Sequence, residues 1–178
     1  MTITRRNTLR ALTSGVAMTL LLGANLAYAA DETVKIGYAV AKTGPNATGA
    51  GITTIPNYEL WVKDVNAAGG LTMPDGSQRK IEVIEYDDRS SNEDLVRAIE
   101  RLATKDEVDL ILPPWGTGSN LAIAPLMDRF GYPQLGVTAV TDKAPDFAAR
   151  WKRSYWMLGG GHDYAVGLAD VLKAAVAD

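Results

Sequence analysis

Short apolar runs alternate with amphipathic helical stretches along this chain, and that alternation limits the fold more than any other feature. Val34–Val40 (VKIGYAV) alternates at first and then turns apolar, as a strand does. Ile55, Tyr58, Val62 and Val65 follow at helical spacing, with Pro56 in the first turn, where proline is tolerated, and Gly69-Gly70 in the C-cap role. Met73–Ser77 reads as a turn, and Lys80–Tyr86 (KIEVIEY) as a second strand that ends at Asp87-Asp88. Ser91, three residues before Asp94, opens a helix with Leu95, Ile99, Leu102 and Ala103 as its buried stripe. Val108–Leu112 is the third strand, followed by a helix to Phe130. Gln134–Thr138 is the fourth, Ser154–Leu158 the fifth, and a last helix starts at Asp163. Strand and helix in this order form right-handed βαβ units. The expected fold is α/β, a doubly wound, mostly parallel sheet flanked by helices.

Ligands of such sheets bind in the crevice beyond the carboxyl ends of the strands. Three strand-end loops therefore matter: Thr43–Gly51, Trp115–Asn120 and Thr138–Asp142. The second, Trp115-Gly116-Thr117-Gly118-Ser119-Asn120, lies between a strand stopped by Pro113-Pro114 and a helix carrying Leu121, Ile123, Ala124 and Met127. Free N–H groups and the positive dipole end of that helix suit an anionic ligand group. Thr117 and Ser119 add hydroxyls, and Trp115 adds a flat apolar face. The same Gly, Ser and Asn residues also serve as ordinary turn and N-cap formers. No lysine follows the second glycine, so this is not a phosphate loop.

Composition closes off several chemistries. The 178 residues suffice for one domain, and with 47% hydrophobic and 22% charged residues the chain is globular. It has no cysteine and one histidine, which removes disulfides, thiol nucleophiles, cysteine zinc sites and a lipoprotein anchor. Arg5, Arg6 and Arg10, the uncharged apolar stretch Ala11–Leu22 and the small-x-small Ala27-Tyr28-Ala29 make residues 1–29 a signal peptide cleaved before Ala30. Thr4–Arg10 also carries a twin-arginine pattern, with Thr8 where a large apolar residue is usual, so Sec and Tat export both stay open. Three of the 18 basic residues and none of the 21 acidic ones precede residue 30, which leaves the mature part six charges negative. No basic patch offers itself to nucleic acid.

Two groups of residues offer enzymatic chemistry. Asp87 and Asp88 at a strand end could hold Mg²⁺ or accept a phosphoryl group. The third strand ends in Leu112-Pro113-Pro114, without an acceptor aspartate, and a structural pair is expected instead, one Asp turning the chain into the Ser91 helix and the other solvated. His162 beside Asp163 reads as a loop pair or helix cap. Trp61, Trp151 and Trp156 are expected to pack between elements, which leaves Trp115 where a ligand would sit.

An ordered set of segments then carries a resemblance: VKIGYAVAKTGPNATGAG, WVKDVNAAGGL, IEVIEYDDRSSNEDLVRAIERLATKDEVDLIL, PPWGTGSNLAIAP and YPQLGVTAVTDKAP. The chain resembles the periplasmic branched-chain-amino-acid-type (type I) substrate-binding proteins of ABC transporters over nearly all of its mature length. The resemblance implies residues 30–178 as an N-terminal ligand-binding lobe, truncated before a second lobe that would close the clamp. It implies no catalysis and no cofactor, a periplasmic monomer, a small ligand such as an amino acid or amide, and an ABC permease as partner. By position, Trp115, Gly116 and Thr117 would meet the ligand's α-carboxylate, with Thr117 as the hydroxyl. Thr138, Ala139, Val140 and Thr141 would supply a carbonyl for the ammonium and a second hydroxyl. A straight count puts Val140 at the hydroxyl position, which leaves Thr138 or Thr141 for that role. Asn46, in the loop that lines the side-chain pocket, stands where the family's aromatic is missing. A small exported α/β enzyme using Asp87 and Asp88, and a sensory receptor ectodomain, are the alternatives.

Overall fold

The first strand, β1 (Val34–Val40), lies at the centre of a parallel sheet because its residues are apolar on both faces. In this computed structural model residues 33–176 are described, so the signal expected over residues 1–29 lies outside the described residues. Helices α1 (Ala47–Thr53) and α2 (Ile55–Ala67) follow, then a small antiparallel hairpin of β2 (Leu71–Thr72) and β3 (Gln78–Arg79). Next come β4 (Ile81–Asp87), α3 (Asn92–Thr104), β5 (Leu110–Leu112), α4 (Thr117–Phe130) and β6 (Gln134–Gly136). Helix α5 (Ala144–Arg150), β7 (Ser154–Trp156) and α6 (Gly161–Val176) complete the order.

Strands β4, β1 and β5 pair in parallel, in that spatial order, with Val34 opposite Ile81 and Ile36 opposite Leu110. β6 and β7 form a second parallel pair, Gln134 opposite Ser154. β5 and β6 touch but exchange no ladder. Proline stops the ladder from extending: Pro113 and Pro114, directly after β5, have no N–H, and the Gly116 N–H goes to the Thr138 hydroxyl at 3.0 Å. The expected sheet is therefore present as two hydrogen-bonded parts.

Both faces of the sheet are covered. On one, Leu95, Ile99 and Leu102 of α3 meet Ile123 and Met127 of α4 over Ala39 and Ile111. These are the residues the helical periodicity singles out, and each fully buried Leu or Ile contributes about 1.5–3 kcal/mol. Gly37 lets α3 approach, since a Cβ there would come within 2.6 Å of Leu102 Cδ2. On the other face, Ile55, Tyr58 and Trp115 pack on Tyr38, Val40 and Ala50. Ile55, Tyr58, Val62 and Val65 are the half-buried stripe of α2, as their spacing predicts. The Ser91 hydroxyl caps α3 by accepting from Asp94 N–H at 3.3 Å, and Gly131, in the left-handed region, ends α4. Trp151 stacks on Phe147, and Trp156 meets the same ring, as expected. Trp61 departs from its expected packing and is 37% exposed.

Candidate functional site

With order β4-β1-β5, the chain runs from β1 to β4 on one side and then crosses to β5 on the other, which makes the carboxyl ends of β1 and β5 the switch point where α/β sheets bind ligands. A cleft of about 450 Å³ opens there, lined by Asn46, Ser90, Asn92, Trp115, Gly116, Thr117, Gly118, Ser119 and Thr138. Its floor is the start of α4. Gly116 adopts φ +94°, ψ 154°, which turns the chain from β5 into the helix and suits glycine alone, and no side chain caps this end. The first-turn N–H groups of Thr117, Gly118 and Ser119 therefore have no acceptor in the helix, and the dipole adds positive potential.

A buried polar network holds that floor in place. Asn120, fully buried, shares its two Nδ2 hydrogens among Pro114 O (3.0 Å), Gly116 O (2.8 Å) and the Thr138 hydroxyl (3.2 Å). Its amide is oriented by Gln134, whose Nε2 donates to Asn120 O (2.8 Å) and Oδ1 (3.3 Å). Ser154 of β7 in turn donates to Gln134 Oε1 at 2.9 Å. The Thr138 hydroxyl donates to Pro114 O (3.1 Å) and accepts from Gly116 N–H, so its bonding is taken up inside the protein.

Of the residues singled out from sequence, Asn46, Trp115, Gly116, Thr117 and Thr138 come together around the cleft. Thr117 and Val140 bridge two loops: the Thr117 hydroxyl accepts from Val140 N–H at 3.0 Å and approaches Val140 O at 3.4 Å. Ala139 is fully buried behind the lining, and the Thr141 hydroxyl accepts from Lys143 N–H at 3.2 Å, turning the chain into α5. The Trp115 indole lies against α1 over Gly49, where a Cβ would approach it to 2.3 Å. An aromatic wall thus reaches the first loop from the third strand's loop.

Ser90 and Asn92 also line the cleft, although neither lies in the three strand-end loops expected to carry the site. Arg89 and Ser90 both have positive φ (51° and 62°), a left-handed pair that folds Ser90 back toward the first loop. Its hydroxyl donates to Thr43 O (2.8 Å) and accepts from Asn46 N–H (3.0 Å). The available signal was the Asp87-Asp88 pair, since an aspartate at a strand end bonds the N–H two residues on.

Both aspartates are occupied in that way. Asp88 Oδ1 accepts from Ser90 N–H at 2.7 Å, and the Asp88 carbonyl accepts from Ser91 N–H, the expected turn into α3. Burial pushes the Asp88 carboxyl up, with Asp87 and Asp94 adding to it against the Ser90 N–H. Asp87 is not the solvated partner that the sequence suggested. Its carboxylate accepts from the N–H groups of Lys42 (3.0 Å), Thr43 (3.2 Å) and Arg89 (2.8 Å) and from the Thr43 hydroxyl (2.7 Å). Burial works against its charge, but these donors outweigh it and hold the group below the usual carboxylate value. Among the described residues no group of three or more His, Cys, Asp or Glu side chains is placed to hold a metal. Asp163 accepts from Gly160 N–H at 3.2 Å, and Asp142 from His162 N–H at 3.1 Å, so this segment starts α6, as expected.

A family model described as "Periplasmic binding protein" matches residues 33–178. The chain belongs to the periplasmic binding protein family. Its fold is that of type I members, in agreement with the sequence resemblance. The branched-chain amino acid transporter substrate-binding protein LivJ from Streptococcus pneumoniae, solved with isoleucine, superposes with a TM-score of 0.62 at 24% identity, over 72% of this chain and 34% of that one. A solute-binding protein of an ABC transporter from Rhodopseudomonas palustris BisB5, solved with 3,4-dihydroxybenzoic acid, gives 0.58 at 26% identity, over 72% and 32%. A periplasmic binding protein type 1 from Bordetella pertussis Tohama I gives 0.54 at 30% identity, over 63% and 29%. This family member thus spans about a third of the length of these solved chains. Among its described residues no helix is long and apolar enough to cross a membrane.

Proposed function

We propose that this chain forms one wall of a periplasmic solute receptor, which captures a small carboxylate-bearing solute such as an amino acid and presents it to an ABC permease. The single observation that carries the reading is the uncapped N-terminus of α4 at the floor of a cleft on the sheet's switch point. Three N–H groups, of Thr117, Gly118 and Ser119, converge there without a side-chain partner, in a lining that holds no charged side chain. Thr117, whose hydroxyl and Val140 N–H now satisfy one another, adds a donor when a carboxylate enters between them. Trp115 supplies the flat wall, and Thr138 acts as a positioning residue whose hydroxyl fixes Gly116. Asn46 reaches the cleft from the first loop. A second wall, supplied by another lobe, desolvates the ligand, and without it affinity is low. The receptor works as an exported monomer, freed of residues 1–29, and carries out no reaction on what it binds.

The test is an amide-resolved NMR titration with L-leucine and, separately, L-leucinamide at millimolar concentration. The amino acid is expected to move the Thr117, Gly118 and Ser119 amides, and leucinamide to leave them in place. Equal shifts from both, or none from either, would remove the carboxylate reading.

A further inference from the structure

The side chains around the α4 N-terminus say what else the ligand carries. They are Asn46 from the first loop, Ser90 from the turn after β4, Asn92 at the start of α3, and the Ser119 hydroxyl on the first turn of α4 itself, which reaches toward Asn92. All four are polar and uncharged, and Trp115 is the one large apolar side chain in the lining. Their bonding is only partly used up. The Asn46 side chain makes no capping bond to α1 although it stands at that helix's N-cap. Asn92 receives the Ser119 hydroxyl on Oδ1 at 3.4 Å, which leaves its amide hydrogens for the cleft. Nearby charges are engaged elsewhere: Lys42 pairs with Glu85, Arg89 with Asp94 at 2.6 Å, and Asp87 takes four donors.

We infer that the ligand's tail, beyond its carboxylate, is uncharged and hydrogen-bonding, as in an amide or hydroxyl compound, and is not aliphatic. This rests on the carboxylate reading proposed above. An alkyl tail would strip water from the Asn46 and Asn92 amides and return no partner, which costs more than leaving them wet. A charged tail finds no counter-charge among the lining residues. An amide or hydroxyl group replaces the lost water on both asparagines and still presents a flat face to Trp115.

L-asparagine, L-leucine and L-aspartate share one branched heavy-atom shape and differ in the polarity of the tail, so they separate these cases. Each is titrated into the isotope-labelled full chain, with the Thr117–Ser119 amides reporting the carboxylate and the side-chain amides of Asn46 and Asn92 reporting the tail. Asparagine is expected to bind about tenfold more tightly than either analogue, and the Asn46→Leu and Asn92→Leu variants to narrow that gap. Leucine binding as well as asparagine or better, with the Thr117–Ser119 amides still shifting, overturns the tail assignment and leaves the proposed function standing. A preference for asparagine that both variants retain in full also overturns it. If none of the three moves those backbone amides, the proposed function falls together with this inference.

Discussion

At the scale of single residues, neighbouring carboxylates in this chain have opposite electrostatic fates. Asp88 is 3% exposed, and its burial favours the protonated form. The folded state therefore binds more protons there than the unfolded state, and the stability from this group falls as pH rises from the ordinary carboxylate range to its raised value. Asp87, held low by four donors, contributes stability that is present above about pH 4 and is lost as pH falls through its folded value. Asp88→Asn keeps an oxygen for Ser90 N–H and removes the buried charge. In urea unfolding followed from pH 4 to 7 it is expected to gain on the wild type as pH rises, by on the order of 1 kcal/mol at pH 7. Asp87→Asn is expected to lose about 1–3 kcal/mol at pH 7 and progressively less as pH falls below about 4. Parallel pH profiles for wild type and Asp88→Asn would refute the assignment. The doublet's place at a strand end was legible, because it follows KIEVIEY and precedes a capping serine. That Asp87 clamps Lys42 and Thr43 was not, because those partners lie more than 40 residues away and no local pattern encodes them.

Among the elements, the legible ones were those with a period. β1, β4 and α3 lie within a residue or two of where their apolar spacing puts them, since burial on one face imposes that spacing, whereas α4 ends at Phe130 as expected but begins at Thr117 and takes in the Thr117–Asn120 stretch expected as loop. The β2–β3 hairpin escaped because two-residue strands have no period to detect, and α5 because Ala144–Arg150 buries no residue. The fourth strand stops at Gly136, short of the expected Thr138, because Val137 N–H turns back onto Leu135 O at 2.8 Å and leaves the ladder. The cleft was legible in its glycines and hydroxyls, whereas the support beneath it was not. Asn120 reads as a turn residue, yet it is the buried link joining β5, α4, β6 and, through Gln134, β7. Asn120→Ala removes the side-chain bonds to Pro114 O, Gly116 O and Gln134 Nε2 in a buried setting, although Pro114 O keeps the Thr138 hydroxyl and Gln134 Nε2 keeps the backbone carbonyl of residue 120. Its expected cost is about 2–4 kcal/mol of unfolding free energy, with the Thr117–Ser119 amide resonances displaced in the folded protein before any ligand is added. A loss under about 0.5 kcal/mol, with those resonances unmoved, would show that the floor of the cleft does not depend on the network.

Across the whole molecule, apolar surface is distributed unevenly, and the uneven part lies at the end of the chain away from β4. The β4-β1-β5 sheet is covered on both faces, but Leu135, Val137, Tyr155 and Met157 of the β6–β7 region are 41–62% exposed. Every residue of α6 is exposed as well, including Tyr164, Leu168, Val171 and Leu172. A helix of this length that buries nothing draws no stability from packing, and in water it is marginal by itself. Among the described residues β7 pairs with β6 alone, so its other edge is left without a strand partner beside exposed Tyr155 and Met157, an arrangement that recruits another chain unless something covers it. A polypeptide of residues 30–178 is therefore expected to bind a hydrophobic dye while natively folded, to show almost no amide-exchange protection in α6, and to associate with rising concentration in sedimentation velocity. Tyr155→Lys, which puts a charge on the open edge without touching the cleft, is expected to weaken that association and to leave the Thr117–Ser119 amides where they are. A monomer at every concentration, without dye binding, would mean that α6 folds back over the β6–β7 face in solution. In that case protection in α6 would approach that of α3, and the two measurements together separate a covered face from an open one.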